Sequence, residues 1–238
     1  MGYDDPRFRS LKKLKGKYKG KRLFITCTGP SLTIEDLENL KEEYVFGMNS
    51  IVLIHDKTDW KPDFFGIQDS NVYDRIKEKL WSTDNGLVFM PYGYHKRSEV
   101  PNNVVFFHMC GSYHLFEYRY KTREFAKYSE NPYVRVYDGY SISNSIMLLA
   151  IYMGFDENYL LGADCTYLKD KQHFIEHGNV ELQLGVADRM IVAYREVKKY
   201  ADKNNIKIFN ATRGGCLEVF PRVNIDEILK EPSNKKKI

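Results

Sequence analysis

The stretch Arg22–Leu40, RLFITCTGPSLTIEDLENL, decides the reading of this chain, because it passes from strand to tight turn to helix. Leu23, Phe24, Ile25 and Thr26 form a short β-rich run with no polar face, the pattern of a strand covered on both sides. Gly29-Pro30 breaks that run. Thr33 suits an N-cap, Glu35 and Asp36 put negative charge in the first helical turn, and Ile34, Leu37 and Leu40 recur at helical spacing. The expectation is a turn whose backbone N–H groups and positive helix end face outward at the carboxyl end of a strand, where α/β proteins hold phosphate-bearing ligands. The turn has neither the Gly-Lys-Ser/Thr ending of a Walker loop nor the G-x-G-x-x-G spacing, so the plainer reading, a simple strand-to-helix reversal, stays open.

Further along, Tyr44–Asn49 reads as a second strand ending on an amide, with Asn49 placed to face a ligand. Phe64–Gln68 is a third, running into Asp69, which can either hold a ribose or sugar hydroxyl or cap the helix starting near Ser70. Leu87–Pro91 and Val104–His108 add two more strands, and the β-α-β-α-β order points to a mostly parallel sheet with helices on both faces. Residues 139–145 form a second hydroxyl-rich helix start, in which Ser141 and Ser143 could meet an anionic group. The apolar helix behind it leads to the strand Asn158–Asp164, again ending on an acid. Val186–Lys203 is an amphipathic helix. Ile206–Thr212 is a last strand running into Arg213-Gly214-Gly215, where Arg213 could pair with a ligand phosphate or carboxylate. Val223–Leu229 is a short closing helix with Asn224 as its N-cap. Two such strand-and-helix termini meeting on one edge of a parallel sheet make a binding crevice.

Two segments carry other chemistry. Residues 111–140 interleave tyrosines with arginines and lysines, which fits a lid over a small-molecule site, an aromatic subdomain packed on the sheet, or a surface for stacking single-stranded nucleic acid. His173-Phe174-Ile175-Glu176-His177 puts two histidines at i, i+4, a spacing that raises zinc. No third ligand supports the metal, and a neutral histidine near an acceptor hydroxyl suffices as a general base.

The length of 238 residues and an apolar fraction of 43% suit one folded α/β domain over residues 21–230. The net charge of +4 is concentrated in a basic segment within residues 1–20 and a basic tail at 231–238. Both are expected to be solvated, with attraction to an anionic membrane surface as the functional alternative. Four cysteines without C-x-x-C spacing, and no leader or spanning segment, fit a reduced cytoplasmic protein, peripheral at the inner membrane face if the basic ends bind lipid.

These residues resemble a known group. Thr28-Gly29-Pro30-Ser31-Leu32, Gly47-Met48-Asn49, Tyr159–Asp164 and Asn210–Gly215 look like the domain shared by motility-associated flagellin glycosyltransferases and archaeal 6-hydroxymethylpterin diphosphokinases, and are similar to the bacterial family 42 sialyltransferases. The resemblance implies a single Rossmann-like domain, a GT-A-like variant, that transfers a sugar from a nucleotide-activated donor, CMP-linked by preference, to a glycan or lipid-linked acceptor. By the same resemblance Thr28, Gly29 and Ser31 lie at the donor phosphate and Asn49 at the nucleotide. Ser141 and Ser143 hold ribose or phosphate, Asp164, Tyr167 and His173 line the site, and His177 is the catalytic base. It implies no cofactor and no metal, because tyrosine hydroxyls stabilise the departing phosphate. Thr28 stands where the family carries asparagine, and Tyr167 falls one position late. The competing expectations are an ATP-dependent diphosphokinase using Mg²⁺ on carboxylates such as Asp69 and Asp164, or a noncatalytic nucleotide or RNA binder. Nucleic acid is not favoured as a partner, and a homo-oligomer is left open.

Overall fold

The computed structural model describes residues 5–96, 100–112, 126–166 and 186–235. Seven strands, β1 (Arg22–Thr26), β2 (Tyr44–Met48), β3 (Phe64–Gly66), β4 (Leu87–Pro91), β5 (Val104–Phe107), β8 (Glu157–Leu161) and β9 (Lys207–Asn210), form one sheet in the order β5-β4-β3-β2-β1-β8-β9. Every neighbouring pair is parallel. All five residues of β1 are buried, as its two-sided apolar pattern requires. A small parallel ribbon pairs β6 (Met109–Cys110) with β7 (Val136–Tyr137).

Helices cover both faces. Leu11 of α1 (Arg9–Lys13), Ile146 and Leu149 of α4 (Ile142–Met153), and Tyr194 and Val197 of α5 (Val186–Lys203) share one core cluster with Leu23, Ile25 and Phe46. Leu37 of α2 (Ile34–Glu38), Ile76 and Leu80 of α3 (Ser70–Ser82), Ile51 of the 3-10 turn Asn49–Ile54, and Ile225 of α6 (Ile225–Ile228) pack with Phe24, Val45 and Phe65 on the other face. Asn224 caps α6 by accepting from Asp226 N. The chain therefore winds outward from β1 to β5, then returns through α4 to lay β8 on the other side of β1. The carboxyl ends of β1 and β8 flank the point where winding direction reverses, the usual place for a ligand in such a sheet.

The two basic ends are less detached than their charge suggested. Phe8, Leu11 and Leu14 are buried, and the amides of Gly16 and Tyr18 donate to the carbonyls of Tyr152 and Met153, satisfying the open end of α4. Gly154, at φ 99°, turns the chain out of that helix. At the other terminus Lys235 pairs with Asp63 at 2.6 Å, and the Glu231 carbonyl accepts from Arg22, which also holds Glu43 in a buried ion pair at 2.5 Å. Residues 231–235 thus lie along the amino-terminal edge of the sheet, and residues 236–238 of the expected basic tail lie outside the described residues. Of the segment 111–140, expected as a lid or a packed aromatic subdomain, residues 113–125 lie outside the described residues; in the remainder Tyr133 is buried and Tyr128 stacks on Tyr200 of α5 at 4.0 Å.

Candidate functional site

At the switch point lies a cavity of about 110 Å³, walled by the turn after β1 (Thr28, Gly29), the end of β2 (Asn49), the start of α4 (Ser141, Ser143), the end of β8 (Asp164) and the inner face of α5 (Tyr194). Residues up to 167 positions apart in sequence, Cys27 and Tyr194, meet here because strand ends, a helix start and the inner face of α5 share the same rim.

The turn after β1 is built differently from its sequence expectation. The Gly29 amide donates to the Gly162 carbonyl at 2.9 Å, and the Ser31 hydroxyl donates to Asp164 Oδ2 at 2.8 Å. A Cβ on Gly29 would fall 2.1 Å from that same oxygen, so glycine is required for the turn to close on β8. The helix behind it, α2, is five residues long and closed by a reciprocal Thr33–Asp36 capping box. The expectation of outward amides and a free positive helix end at this turn is therefore corrected for Gly29 and Ser31, whose donors already have protein acceptors, and Ser31 faces Asp164.

The start of α4 is the opposite case. Ser141 caps the helix, its hydroxyl lies 2.8 Å from that of Ser143, and Ser143 lies 2.5 Å from the hydroxyl of buried Tyr194. The helix is twelve residues long, and its positive end opens on the cavity. Behind it Ser145 donates to Gln68 Oε1 at 2.7 Å, tying the end of β3 to the same helix. Arg189, one residue before the cavity-lining Met190, stacks over Tyr140 at 5.9 Å and brings a cation to the rim.

Asn49 has a left-handed backbone, φ 49°, and its side-chain oxygen is buried without a hydrogen-bond partner among the described residues. Tyr140 and Cys165, at φ 62° and 53°, sit beside the cavity or line it. Strained non-glycine residues gather where surrounding structure holds them for a purpose. The thiols are not poised as nucleophiles: burial, with Cys165 and Asp164 nearby, raises Cys27, and burial next to Asp164 pushes Cys165 up to about 12.

Two expected site residues lie elsewhere. Arg213 bonds Asp36 at 2.9 Å and Asp226 at 2.6 Å, holding the Asp226 carboxyl below its usual range, and it lines a separate surface hollow. Asp69 is exposed and caps α3, accepting from Asn71 and Val72. Tyr167, His173 and His177 lie outside the described residues. The sequence reading missed Tyr194. Its signal was present, since Met190, Tyr194, Val197 and Ala201 form the apolar stripe of α5, whose first turns face the rim.

Residues 5–170 match the family described as 6-hydroxymethylpterin diphosphokinase MptE-like. The chain belongs to that family. No curated protein sequence matches it. Among solved structures it is similar to the MAf glycosyltransferase from Magnetospirillum magneticum AMB-1, with a TM-score of 0.58 and 17% identity over 95% of this chain. The chain spans 39% of that protein's length. It is also similar to the sialyltransferase CstII from Campylobacter jejuni, solved with the substrate analogue cytidine-5'-monophosphate, with a TM-score of 0.53 and 17% identity over 86% of this chain and 85% of that one. These likenesses show the fold, a Rossmann-like α/β domain on a parallel sheet. Among the described residues no helix is long and apolar enough to cross a membrane, and no three His, Cys, Asp or Glu side chains cluster to hold a metal ion.

Proposed function

We propose that the chain is a sialyltransferase-like glycosyltransferase, moving a sugar from a nucleotide-activated donor, CMP-linked by preference, to a hydroxyl of a glycan or lipid-linked acceptor. One observation carries the reading: Asn49, held in a left-handed conformation with a buried side-chain oxygen that has no partner among the described residues, lines the same cavity as a helix N-terminus. Such an acceptor calls for an amino or hydroxyl group, as nucleosides have, while the helix end calls for an anion. A cavity of about 110 Å³ takes the phosphate end of such a donor, being smaller than the roughly 300–1,000 Å³ of a complete small-molecule site.

In this reading Tyr194 donates to Ser143 and Ser143 to Ser141, which leaves the Ser141 proton for a donor oxygen. As the glycosidic bond to phosphate breaks, charge grows on the nucleotide and is stabilised by that hydroxyl and by the α4 end. His177 takes the proton of the attacking acceptor hydroxyl, and the acceptor oxygen bonds to the anomeric carbon. His177→Ala is expected to lower kcat by about 10² or more with donor affinity little changed; equal turnover would remove His177 from the mechanism.

The family description favours a second reading, an ATP-dependent diphosphokinase. Mg²⁺ in that reaction needs converging carboxylates. The pair expected to supply them does not converge, since Asp69 caps α3 outside the cavity while Asp164 lines it. Thermal stabilisation by CMP, UDP, GDP and ATP, each with and without EDTA, separates the two. A nucleotide at a hundredfold its Kd adds about 2.7 kcal/mol. Stabilisation by CMP or UDP that survives EDTA supports the transferase, and a response confined to ATP with Mg²⁺ replaces it with the kinase.

A further inference from the structure

Outside the cavity, the most one-sided surface belongs to the N-terminal segment. From Arg7 to Arg22 the sequence contains no acidic residue. Phe8, Leu11 and Leu14 turn inward, so Arg9, Lys12, Lys13, Lys15, Lys17 and Lys19 are all exposed. Asp5, just before them, is buried and bonded to Arg7. The Lys12 ammonium lies over the ring of Tyr133 at 5.9 Å, which places α1 against the turn at residues 131–135. The next residue, Val134, is 51% exposed and is the one large hydrophobic side chain left exposed among the described residues; Arg135 beside it is exposed too.

We infer that this surface docks the protein on an anionic lipid bilayer, with Val134 entering the headgroup region and the surrounding cations meeting lipid phosphates and carboxylates. An interfacial surface combines cations with an apolar tip, and Val134 lies beside Arg135 and next to the Tyr133 ring on which Lys12 sits. A polynucleotide would use the same cations but not the valine. The inference is independent of the nucleotide chemistry assigned to the cavity.

The test is co-sedimentation of the full chain with vesicles of phosphatidylcholine alone or mixed with phosphatidylserine. Binding to the mixed vesicles only, weakening as ionic strength rises, is expected. Each cation near such a surface contributes a factor of about five, so Lys12→Glu with Lys13→Glu should lower partitioning roughly twentyfold or more. Val134→Asp should weaken it and Val134→Trp strengthen it, with melting temperature unchanged in both because this side chain is exposed. Equal binding to both vesicles, no effect of the Val134 variants, or binding of single-stranded RNA without binding of mixed vesicles would overturn the inference.

Discussion

The turn after β1 and the start of α4 look alike in sequence and line the same cavity, yet they do opposite things. The first holds Gly29, Pro30 and Ser31, and closes on β8 through the Gly29 amide and the Ser31–Asp164 bond. The second holds Ser141, Ser143 and Ser145, and leaves a hydroxyl chain and a twelve-residue helix end facing the open space. A glycine turn at a sheet rim is therefore not by itself an anion site; what matters is whether its donors already have acceptors. Asp164 reinforces the asymmetry, since its carboxylate sits on the β1 side and disfavours a second negative charge there.

The largest effect expected from this contrast is on stability. Gly29→Ala forces a Cβ to within 2.1 Å of Asp164 Oδ2 and 2.3 Å of the Gly162 carbonyl, and should cost about 3 kcal/mol in urea denaturation. Gly214→Ala, with open space around it, serves as the control. A Gly29 variant as stable as the Gly214 one would mean that the β1 turn is open after all.

The 3-10 turn that presents Asn49 is anchored at its far end by His55, whose Nδ1 lies 3.2 Å from Thr83 Oγ1 while Nε2 is buried without a partner among the described residues. Burial, with help from Lys61 and Lys79, lowers its pKa from 6.5 to about 4. The unfolded chain then takes up a proton near pH 6.5 and the folded one only near 4, so the stabilisation is complete above 6.5 and is lost as pH falls through that window. Denaturation measured at both ends should differ by about 3 kcal/mol, a slope that His55→Gln should remove. An unchanged slope in that variant would assign the acid sensitivity elsewhere.

Smaller effects separate binding from folding. Asn49→Ala should weaken CMP binding about tenfold, or about 1.4 kcal/mol, by titration calorimetry, because its buried oxygen loses the ligand donor. Arg213→Ala should cost no more than about 1 kcal/mol of stability, its guanidinium being part-exposed, and leave nucleotide affinity untouched. Weaker binding in the Arg213 variant would return that residue to the site.

The seven strands of the main sheet were legible because each is a short β-rich apolar run, and the helix caps at Thr33 and Asn224 because their partners lie within three residues. The misread residues have distant partners. Ser31 finds Asp164 and Arg213 finds Asp36 across separations of 133 and 177 residues, which no local pattern reports. The basic N-terminal segment keeps its cations exposed, and what its composition did not report is that Phe8, Leu11 and Leu14, three positions apart, turn inward and make it part of the fold.

The central claim is that the anionic end of the ligand lies against the start of α4 and not against the turn after β1. Calorimetric titration of CMP into Ser143→Ala and Ser31→Ala tests it most directly. The account predicts about a tenfold loss of affinity for Ser143→Ala and less than about a twofold change for Ser31→Ala, as expected when only one hydroxyl belongs to the ligand's hydrogen-bond chain. A loss confined to Ser31→Ala would contradict it.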